Sequence, residues 1–319
     1  MTQRAFKQVD VFTATPYLGN PLAVVLDGTG LSEEAMQGFA AWTNLSETTF
    51  LLPPTLPQAD YRVRIFTPST ELPFAGHPTL GSCHAWLQAG GQPRGKDCIL
   101  QECAVGLVQI RREVTCNGPQ EGPRLAFAAP PVKRSAPPPF QLAQIATALG
   151  LKADQIQAAQ WLDNGPVWLG LLLDSPQTVL ALKPDHLALK SIGVKVGVVG
   201  IEPAPAPPAL IARSSREAKA FAVSPVTGAA HTPSALAPPA IEVRAFAAAL
   251  GIIEDPVTGS LNASLAQWLI AEGRAPAQYV ATQGTCLNRF GQVHILCDAQ
   301  GQVWVGGDTV TCIDGLVTL

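Results

Sequence analysis

Apolar and polar residues alternate with a period of two in several short stretches of the chain. The clearest are residues 9–11, 61–65, 194–196 and 293–295. Alternation of this kind predicts strands with one buried face. Residues 31–44 instead carry apolar side chains at helical spacing behind Ser32, which can cap a helix N-terminus, so this stretch predicts a helix.

Two further stretches, residues 78–88 and 260–271, predict helices that contain no charged side chain. Pro78 suits the first turn of the earlier helix, where a missing backbone N–H is tolerated. A helix without charge on any face is usually buried on all sides. We therefore expect one helix surrounded by sheet in each of two domains.

The two halves of the chain carry the same signals in the same order. Trp-Leu occurs at 86–87 and at 268–269, and a glutamine at 101 and at 283, so both pairs are 182 residues apart. In each half a turn of Gly, Asn and Pro precedes an apolar strand, and a glycine-led strand follows the glutamine. This order predicts an internal duplication of about 150 residues, which is too long for a solenoid repeat.

The duplication divides the chain into an N-terminal domain, residues 1–130, and a C-terminal domain, residues 140–319, with the extreme C-terminus packing on the first. Of the 29 prolines, seven lie in residues 119–139 and eight in residues 203–239. We interpret the first stretch as the interdomain connection and the second, which is rich in alanine, as an insertion within the C-terminal domain.

Composition narrows the function by exclusion. Charged residues make up 14% of the 319 residues and the net charge is −3, which gives no basic footprint for nucleic acid. No apolar run reaches the ~18 residues of a membrane span, and the N-terminus lacks a signal-peptide core. The seven cysteines form no C-x-x-C pair, which argues against a disulfide framework or a zinc site and fits a cytoplasmic protein.

Both uncharged helices begin at a glycine-containing turn, residues 75–78 and residues 258–260. The free N–H groups and the positive dipole end of a helix N-terminus favour an anion. If the duplication is real, the two ends face each other across the interdomain cleft, where Gly76, Thr258 and Gly259 would bind a small carboxylate. Two ordinary capped helices are the alternative.

Three ionisable residues near these turns could carry proton chemistry. Glu47 is the only charge between Glu34 and Asp60, and an apolar setting raises a carboxyl pKa, so the group can take and give a proton. A solvated glutamate at a strand end is the alternative. Asp255 could bind a substrate amine or the turn amides, or simply stabilise the turn. His77 lies at the mouth of the first uncharged helix, a position that suits binding or proton transfer.

A series of motifs in order along the chain closely resembles the phenazine biosynthesis protein PhzF family. They are Val-Asp-Val-Phe (9–12), Gly-Asn-Pro-Leu-Ala-Val (19–24), Asn-Leu-Ser-Glu-Thr-Thr-Phe (44–50), Arg-Ile-Phe-Thr-Pro (64–68), Glu-Leu-Pro-Phe-Ala-Gly-His-Pro-Thr-Leu (71–80) and Gly-Ile-Ile-Glu-Asp-Pro-Val-Thr-Gly-Ser (251–260) with Asn262. The resemblance implies an α+β, diaminopimelate epimerase-like fold. In that fold two pseudo-symmetric domains, each a sheet curled round a central helix, enclose the active site between them.

The same resemblance implies a cofactor-independent isomerase without a metal, which acts as a homodimer on a small carboxylate-bearing substrate. The catalytic glutamate of the family falls on Glu47, its histidine on His77, its aspartate on Asp255 and its serine on Ser260. Ser46 stands beside the glutamate, as in the family, and would contact the substrate.

Two rival hypotheses stand beside this one. A two-thiol racemase would need cysteines at the two helix mouths, where Ala75 and Thr258 stand, while Cys83 falls about two turns inside the helix. The other rival is a non-catalytic protein that binds a small molecule in the same cleft. Binding alone would not need Glu47.

Overall fold

The computed structural model describes residues 2–95, 98–113, 124–202 and 241–319. The insertion expected at 203–239 lies outside the described residues, as do Cys116 and the first part of the proline-rich connection. Within the described part of the chain, no helix has both the length and the apolar character needed to cross a lipid bilayer.

Strands dominate the described part of the chain. The strands of the first half are β1 (Gln3–Val11), β2 (Asn20–Val25), β3 (Thr48–Leu52), β4 (Tyr61–Phe66), β5 (Glu71–Leu72), β6 (Cys98–Cys103), β7 (Gly106–Glu113), β8 (Arg124–Ala128) and β9 (Lys133–Ser135). The strands of the second half are β10 (Ile156–Asp163), β11 (Val167–Leu173), β12 (Val196–Ile201), β13 (Ile241–Ala247), β14 (Ile252–Asp255), β15 (Gln278–Gln283), β16 (Gly291–Cys297), β17 (Val303–Gly307) and β18 (Thr309–Thr318). The α-helices are α1 (Glu33–Thr43), α2 (Gly76–Gln88), α3 (Pro139–Leu149), α4 (Pro176–Ala181), α5 (His186–Ile192) and α6 (Gly259–Ala271).

The strands of the two halves pair in the same order. In the first half the order is β18–β1–β2–β3–β4–β6–β7–β8, with β2–β3 and β4–β6 parallel and the other pairs antiparallel. In the second half the order is β9–β10–β11–β12–β13–β15–β16–β17, with β11–β12 and β13–β15 parallel. The pairing therefore repeats strand for strand, as a duplication predicts.

Among the described residues, three strand pairs join the halves. β8 pairs antiparallel with β17, so hydrogen-bonded strands continue from one half into the other. We call the boundary between the two halves the seam. β9 follows β8 along the chain but pairs with β10 of the second half. In the same way β18 follows β17 but pairs with β1 along the whole of β1, which places the C-terminus against the sheet of the first half. The proline-rich connection thus contributes strands to both halves in its described part.

The two uncharged helices, α2 and α6, pack against the strands of these sheets. α2 contacts β1, β2, β3 and β8, and α6 contacts β10, β16 and β17. Most of the 13 residues of each helix are buried. Matching glutamines anchor them: Gln101 of β6 donates to Thr79 of α2 at 3.0 Å, and Gln283 of β15 accepts from Asn262 of α6 at 2.9 Å.

The N-termini of α2 and α6 meet at the seam. A Cβ atom at Gly76 would lie 2.9 Å from the Cα of Gly259, and a Cβ atom at Gly259 would lie 2.9 Å from the Cα of Gly76. Only glycine allows two backbones to approach this closely. α2 begins at Gly76, two residues before the predicted start, and α6 begins at Gly259, one residue before it. Neither the glycines nor the polar His77 contribute to an apolar pattern.

Candidate active site

The parallel pair β2–β3 sets the position of Glu47. α1 connects these strands and begins as predicted, since the Ser32 hydroxyl accepts from the Ala35 N–H at 3.2 Å. Asn44 ends the helix in the left-handed conformation. β2 and β3 run in the same direction, so their N-terminal ends lie on the same side of the sheet. Asn20 at the start of β2 and Glu47 just before β3 are both at these ends.

Glu47 faces His77 in the first turn of α2. Glu47 Oε2 lies 3.5 Å from His77 Nε2, and the two side chains are 14% and 4% exposed. Neither of these two atoms has a hydrogen-bond partner among the described residues. The carboxyl of Glu47 is therefore largely buried, with Oε2 shielded from solvent, and the alternative of a solvated glutamate at a strand end does not hold.

Burial governs the protonation of this pair. Desolvation, aided by the charge of Asp255, raises the pKa of Glu47, while the Ser46 hydroxyl and the Lys195 ammonium oppose the rise. Burial lowers the pKa of His77 to about 3, so the imidazole is neutral near pH 7. A carboxyl with a raised pKa beside a neutral imidazole can take a proton as carboxylate and return it as acid.

Asp255 ends β14, and both of its carboxylate oxygens accept hydrogen bonds. Asn20 Nδ2 donates to Oδ1 at 2.9 Å, and the Thr258 hydroxyl donates to Oδ2 at 2.6 Å. Burial raises the pKa of Asp255, and these two hydrogen bonds oppose the rise. Asp255 thus supports the turn before α6 through side-chain donors rather than through turn amides, and its charge acts on Glu47 through space.

Ser260 is the second residue of α6 and is buried. Its Oγ accepts from Trp168 Nε1 at 3.3 Å, and its backbone carbonyl accepts from Asn164 Nδ2 at 3.0 Å. Because the indole N–H occupies Oγ as an acceptor, the hydroxyl proton of Ser260 can be donated to a ligand.

The helix mouths carry no capping side chain. Ala75 and Thr258 are the N-cap residues of α2 and α6, and neither side chain accepts a hydrogen bond from its helix. The first-turn amides, including those of Gly76 and Gly259, can therefore bind an anion. The contact between the two glycines brings both sets of amides to one place at the seam.

The structure brings most of the expected site residues into one network. Ser46 Oγ donates to Asn20 Oδ1 at 3.3 Å, and Asn20 also contacts Asp255 and lies 3.5 Å from His77 Nδ1. Ser260 adjoins this network at the mouth of α6 but forms its own side-chain hydrogen bond with Trp168.

Sequence reasoning missed three contributors to the site: Asn20, Lys195 and Trp168. The alternation at 194–196 predicts a strand that includes Lys195, yet β12 begins at Val196. Lys195 therefore precedes β12 as Glu47 precedes β3, and its ammonium lies 4.8 Å from the centre of the Trp168 ring. The internal duplication could have identified Lys195, because it aligns the residue before β12 with the residue before β3, which is Glu47.

The described cysteines do not form a two-thiol site. Cys83 is buried inside α2, while Ala75 and Thr258 stand at the helix mouths. Among the residues that the structure describes, no group of three or more His, Cys, Asp or Glu side chains is arranged to hold a metal ion.

Comparisons with known proteins agree with the motifs. The family model described as phenazine biosynthesis-like protein matches residues 9–315. Antisense-enhancing sequence 1 of Schizosaccharomyces pombe is 42% identical over 197 residues, which cover 60% of this chain and 65% of that protein. Trans-2,3-dihydro-3-hydroxyanthranilate isomerase of Pseudomonas aeruginosa is 38% identical over 187 residues, which cover 57% of this chain and 61% of that protein. The chain thus spans less than two thirds of the length of these two relatives.

The crystal structure of a PhzF-family phenazine biosynthesis protein from Bacillus anthracis superposes with a TM-score of 0.76 at 22% identity, covering all of both chains. Similarity at this level of identity shows the fold alone, and it confirms the predicted α+β, diaminopimelate epimerase-like fold. The family-model match across nearly the whole chain carries the assignment further: this chain belongs to the phenazine biosynthesis-like (PhzC-PhzF) protein family.

Proposed function

We propose that the protein is a cofactor-independent isomerase that moves a proton within a small carboxylate-bearing substrate, with Glu47 as both base and acid. One observation carries the proposal: the buried carboxyl of Glu47 lies 3.5 Å from His77 Nε2, beside the meeting point of two helix N-termini without capping side chains. A carboxylate bound at those amides would lie near a group that can take and return a proton.

The proposed reaction has two steps. Glu47, as carboxylate, removes a proton from a substrate carbon next to an activating group, and the electron pair of the C–H bond passes into that group. Glu47, now protonated, returns the proton to another atom of the same substrate, so the product is an isomer. The amides of Gly76 and Gly259, with the hydroxyl of Ser260, would hold the substrate carboxylate and stabilise the developing negative charge.

The curated relative from Pseudomonas aeruginosa names a substrate that fits this chemistry. Trans-2,3-dihydro-3-hydroxyanthranilate carries one carboxylate, and that relative is named an isomerase of it. We take this compound as the probe, and small amino or ring-bearing carboxylates as the wider substrate class. As in the family, we propose that the protein acts as a homodimer.

The test is solvent deuterium incorporation into the probe, followed by NMR in D₂O. The parent protein should isomerise the probe, and deuterium should enter at the atom that receives the proton to the extent that protonated Glu47 exchanges with solvent before it returns the proton. Glu47→Gln keeps the size and removes the acid–base function, so turnover and exchange should fall about 10²–10⁴-fold.

Glu34→Gln is the matched control, because Glu34 lies in α1 on the protein surface. Its turnover should equal that of the parent. Full activity in Glu47→Gln would refute the assignment of the base. A parent protein that binds the probe with neither isomerisation nor exchange would favour the non-catalytic binder.

A further inference from the structure

Asn20 joins site residues from both halves of the molecule. It is fully buried at the start of β2. Its Nδ2 donates to Asp255 Oδ1 at 2.9 Å and to the Val257 carbonyl at 2.8 Å. Its Oδ1 accepts from Ser46 Oγ at 3.3 Å, and Nδ2 also lies 3.5 Å from His77 Nδ1. One side-chain amide therefore contacts both sides of the seam.

The partners of this amide fix its orientation. A carboxylate oxygen and a carbonyl oxygen can only accept, so the group between Asp255 and Val257 must be the NH₂ of Asn20. The oxygen of the amide faces the hydroxyl of Ser46, which can donate. A flipped amide would place its oxygen against two acceptors, so Asn20 presents a fixed donor to Asp255.

The two carboxyl groups of the site differ sharply in their hydrogen bonds. Asp255 accepts at both oxygens, whereas Glu47 Oε2 has no partner among the described residues. Two neighbouring carboxyl groups in a buried site do not both ionise readily, and hydrogen bonds to the charged form decide which one does.

We propose that Asn20 is a positioning residue that decides where the proton resides when the Glu47–Asp255 pair carries one. Its amide donates to Asp255 and keeps that carboxyl ionised, so the proton that Glu47 takes from the substrate stays on Glu47 until it is returned. The inference rests on the proposed function, in which Glu47 must hold a proton and return it. In this role Asn20 prevents transfer of the proton from Glu47, which faces the substrate, to Asp255.

Other charged groups also act on the pair. Lys195 lowers the pKa of both carboxyl groups, and Glu254 raises that of Asp255. Asp163 faces Lys195 and opposes the lowering of its pKa by burial. The charge of Lys195 favours ionisation of both carboxyl groups, whereas Asn20 and Thr258 donate to Asp255.

The uncharged neighbours differ in which of the two carboxyl groups they act on. His77 is neutral and adds no charge. The Ser46 hydroxyl lowers the pKa of Glu47, while Thr258 and Asn20 each donate to Asp255. Ser46 also donates to Asn20. Asn20 is therefore hydrogen-bonded both to Asp255 and to the residue next to Glu47.

The test is an infrared titration of the full-length protein without substrate. The C=O band of each protonated carboxyl is assigned by its loss in Glu47→Gln or Asp255→Asn. In the parent, the Glu47 band should persist to higher pH than the Asp255 band. In Asn20→Leu, which removes the donor at similar size, the Asp255 midpoint should rise by about one pH unit or more and the Glu47 midpoint should fall. Unchanged midpoints would overturn the proposal.

Asn164→Leu is the matched control. Asn164 is a buried asparagine in the corresponding turn of the second half, and it donates to a backbone carbonyl rather than to a carboxylate. Its variant should keep the parent midpoints, and equal shifts in both variants would overturn a specific role for Asn20. If Asn20→Leu does not fold, Asn20→Asp serves instead, because an acceptor placed against Asp255 should raise the Asp255 midpoint; an unshifted midpoint would again refute the proposal.

The titration requires no turnover, so the two proposals fail separately. Shifted midpoints in a protein that never isomerises a substrate would refute the proposed function alone. Unshifted midpoints in an active enzyme would refute the role of Asn20 alone.

Discussion

Glu47 and Lys195 occupy equivalent positions in the two halves of the molecule. Glu47 directly precedes β3, which runs parallel to β2, and Lys195 directly precedes β12, which runs parallel to β11. The duplicated fold thus places a carboxyl group and an ammonium group at matching points. The two act on each other: burial lowers the pKa of Lys195 and the charge of Glu47 opposes that lowering, while burial raises the pKa of Glu47 and the charge of Lys195 opposes that rise.

The two halves repeat the ion pairs near these two positions, whereas the ionisable residue at each position differs. Arg64 of β4 forms a two-bond ion pair with Glu71 of β5, at 2.7 Å and 2.6 Å. Arg244 of β13 forms the same pair with Glu254 of β14, at 2.9 Å and 2.8 Å. Each half therefore keeps its own scaffold, and the difference at the seam lies in which ionisable residue each scaffold presents.

The seam itself offers the largest test of this comparison. Gly76→Ala and Gly259→Ala each place a Cβ 2.9 Å from backbone atoms of the opposite helix. Backbone cannot move aside as a flexible side chain does, so each variant should lose about 1–3 kcal/mol of unfolding free energy and much of its substrate binding. Urea unfolding and probe titration measure the two effects.

Gly38→Ala is the control for these variants, because a Cβ at Gly38 of α1 meets no atom within 4 Å. It should stabilise the helix by up to about 1 kcal/mol. If all three variants had the same stability, the two helix N-termini would not be in contact.

A smaller effect concerns the stability contribution of Glu47. Its pKa in the folded protein is raised above the unfolded value by burial, so the stability that this group contributes is present below the unfolded pKa and is lost as pH rises through the folded pKa. Glu47→Gln cannot ionise and should be more stable than the parent by about 1–3 kcal/mol at high pH, with the gain vanishing toward pH 4. Urea unfolding at a series of pH values measures the difference, and a constant difference would contradict the raised pKa.

The smallest predicted effect separates the roles of the two halves. Lys195→Met removes a cation that lowers the pKa of Glu47, so the ascending limb of the kcat/KM profile should move to higher pH by less than about one unit. The exposed Lys190→Met of α5 should leave the profile in place. A shift to lower pH in Lys195→Met would show that the ammonium does not stabilise the Glu47 carboxylate.

The elements of the fold were largely readable from the sequence because they follow local rules. The absence of charge in 78–88 and 260–271 predicted the two central helices, and period-two alternation predicted β4 and β16. Spacing alone paired Gln101 with Gln283, and the structure gives each the same role of anchoring a central helix. These features depend on neighbours along the chain or on a repeat at fixed offset.

Parts of the site depended on contacts that no local pattern reports. Asn20 and Asp255 are 235 residues apart, yet their side chains are 2.9 Å apart. The strand boundary at Lys195 depended on pairing with β11, because alternation continues through the residue that β12 excludes. Neither the partner of Asn20 nor the position of Lys195 could be read from spacing along one strand.

The sequence by itself predicted a duplicated chain with two uncharged helices and a glutamate in an apolar setting, because burial preference and periodicity depend on residue types, and the resemblance of its motifs to a known family implied the α+β fold. Only the tertiary structure decided that the two helix N-termini touch through Gly76 and Gly259, and that Asn20 joins the halves at Asp255. The physical reason is that the proton affinity of Glu47 depends on water excluded and charges brought near by distant segments, and those neighbours exist only once the chain has folded.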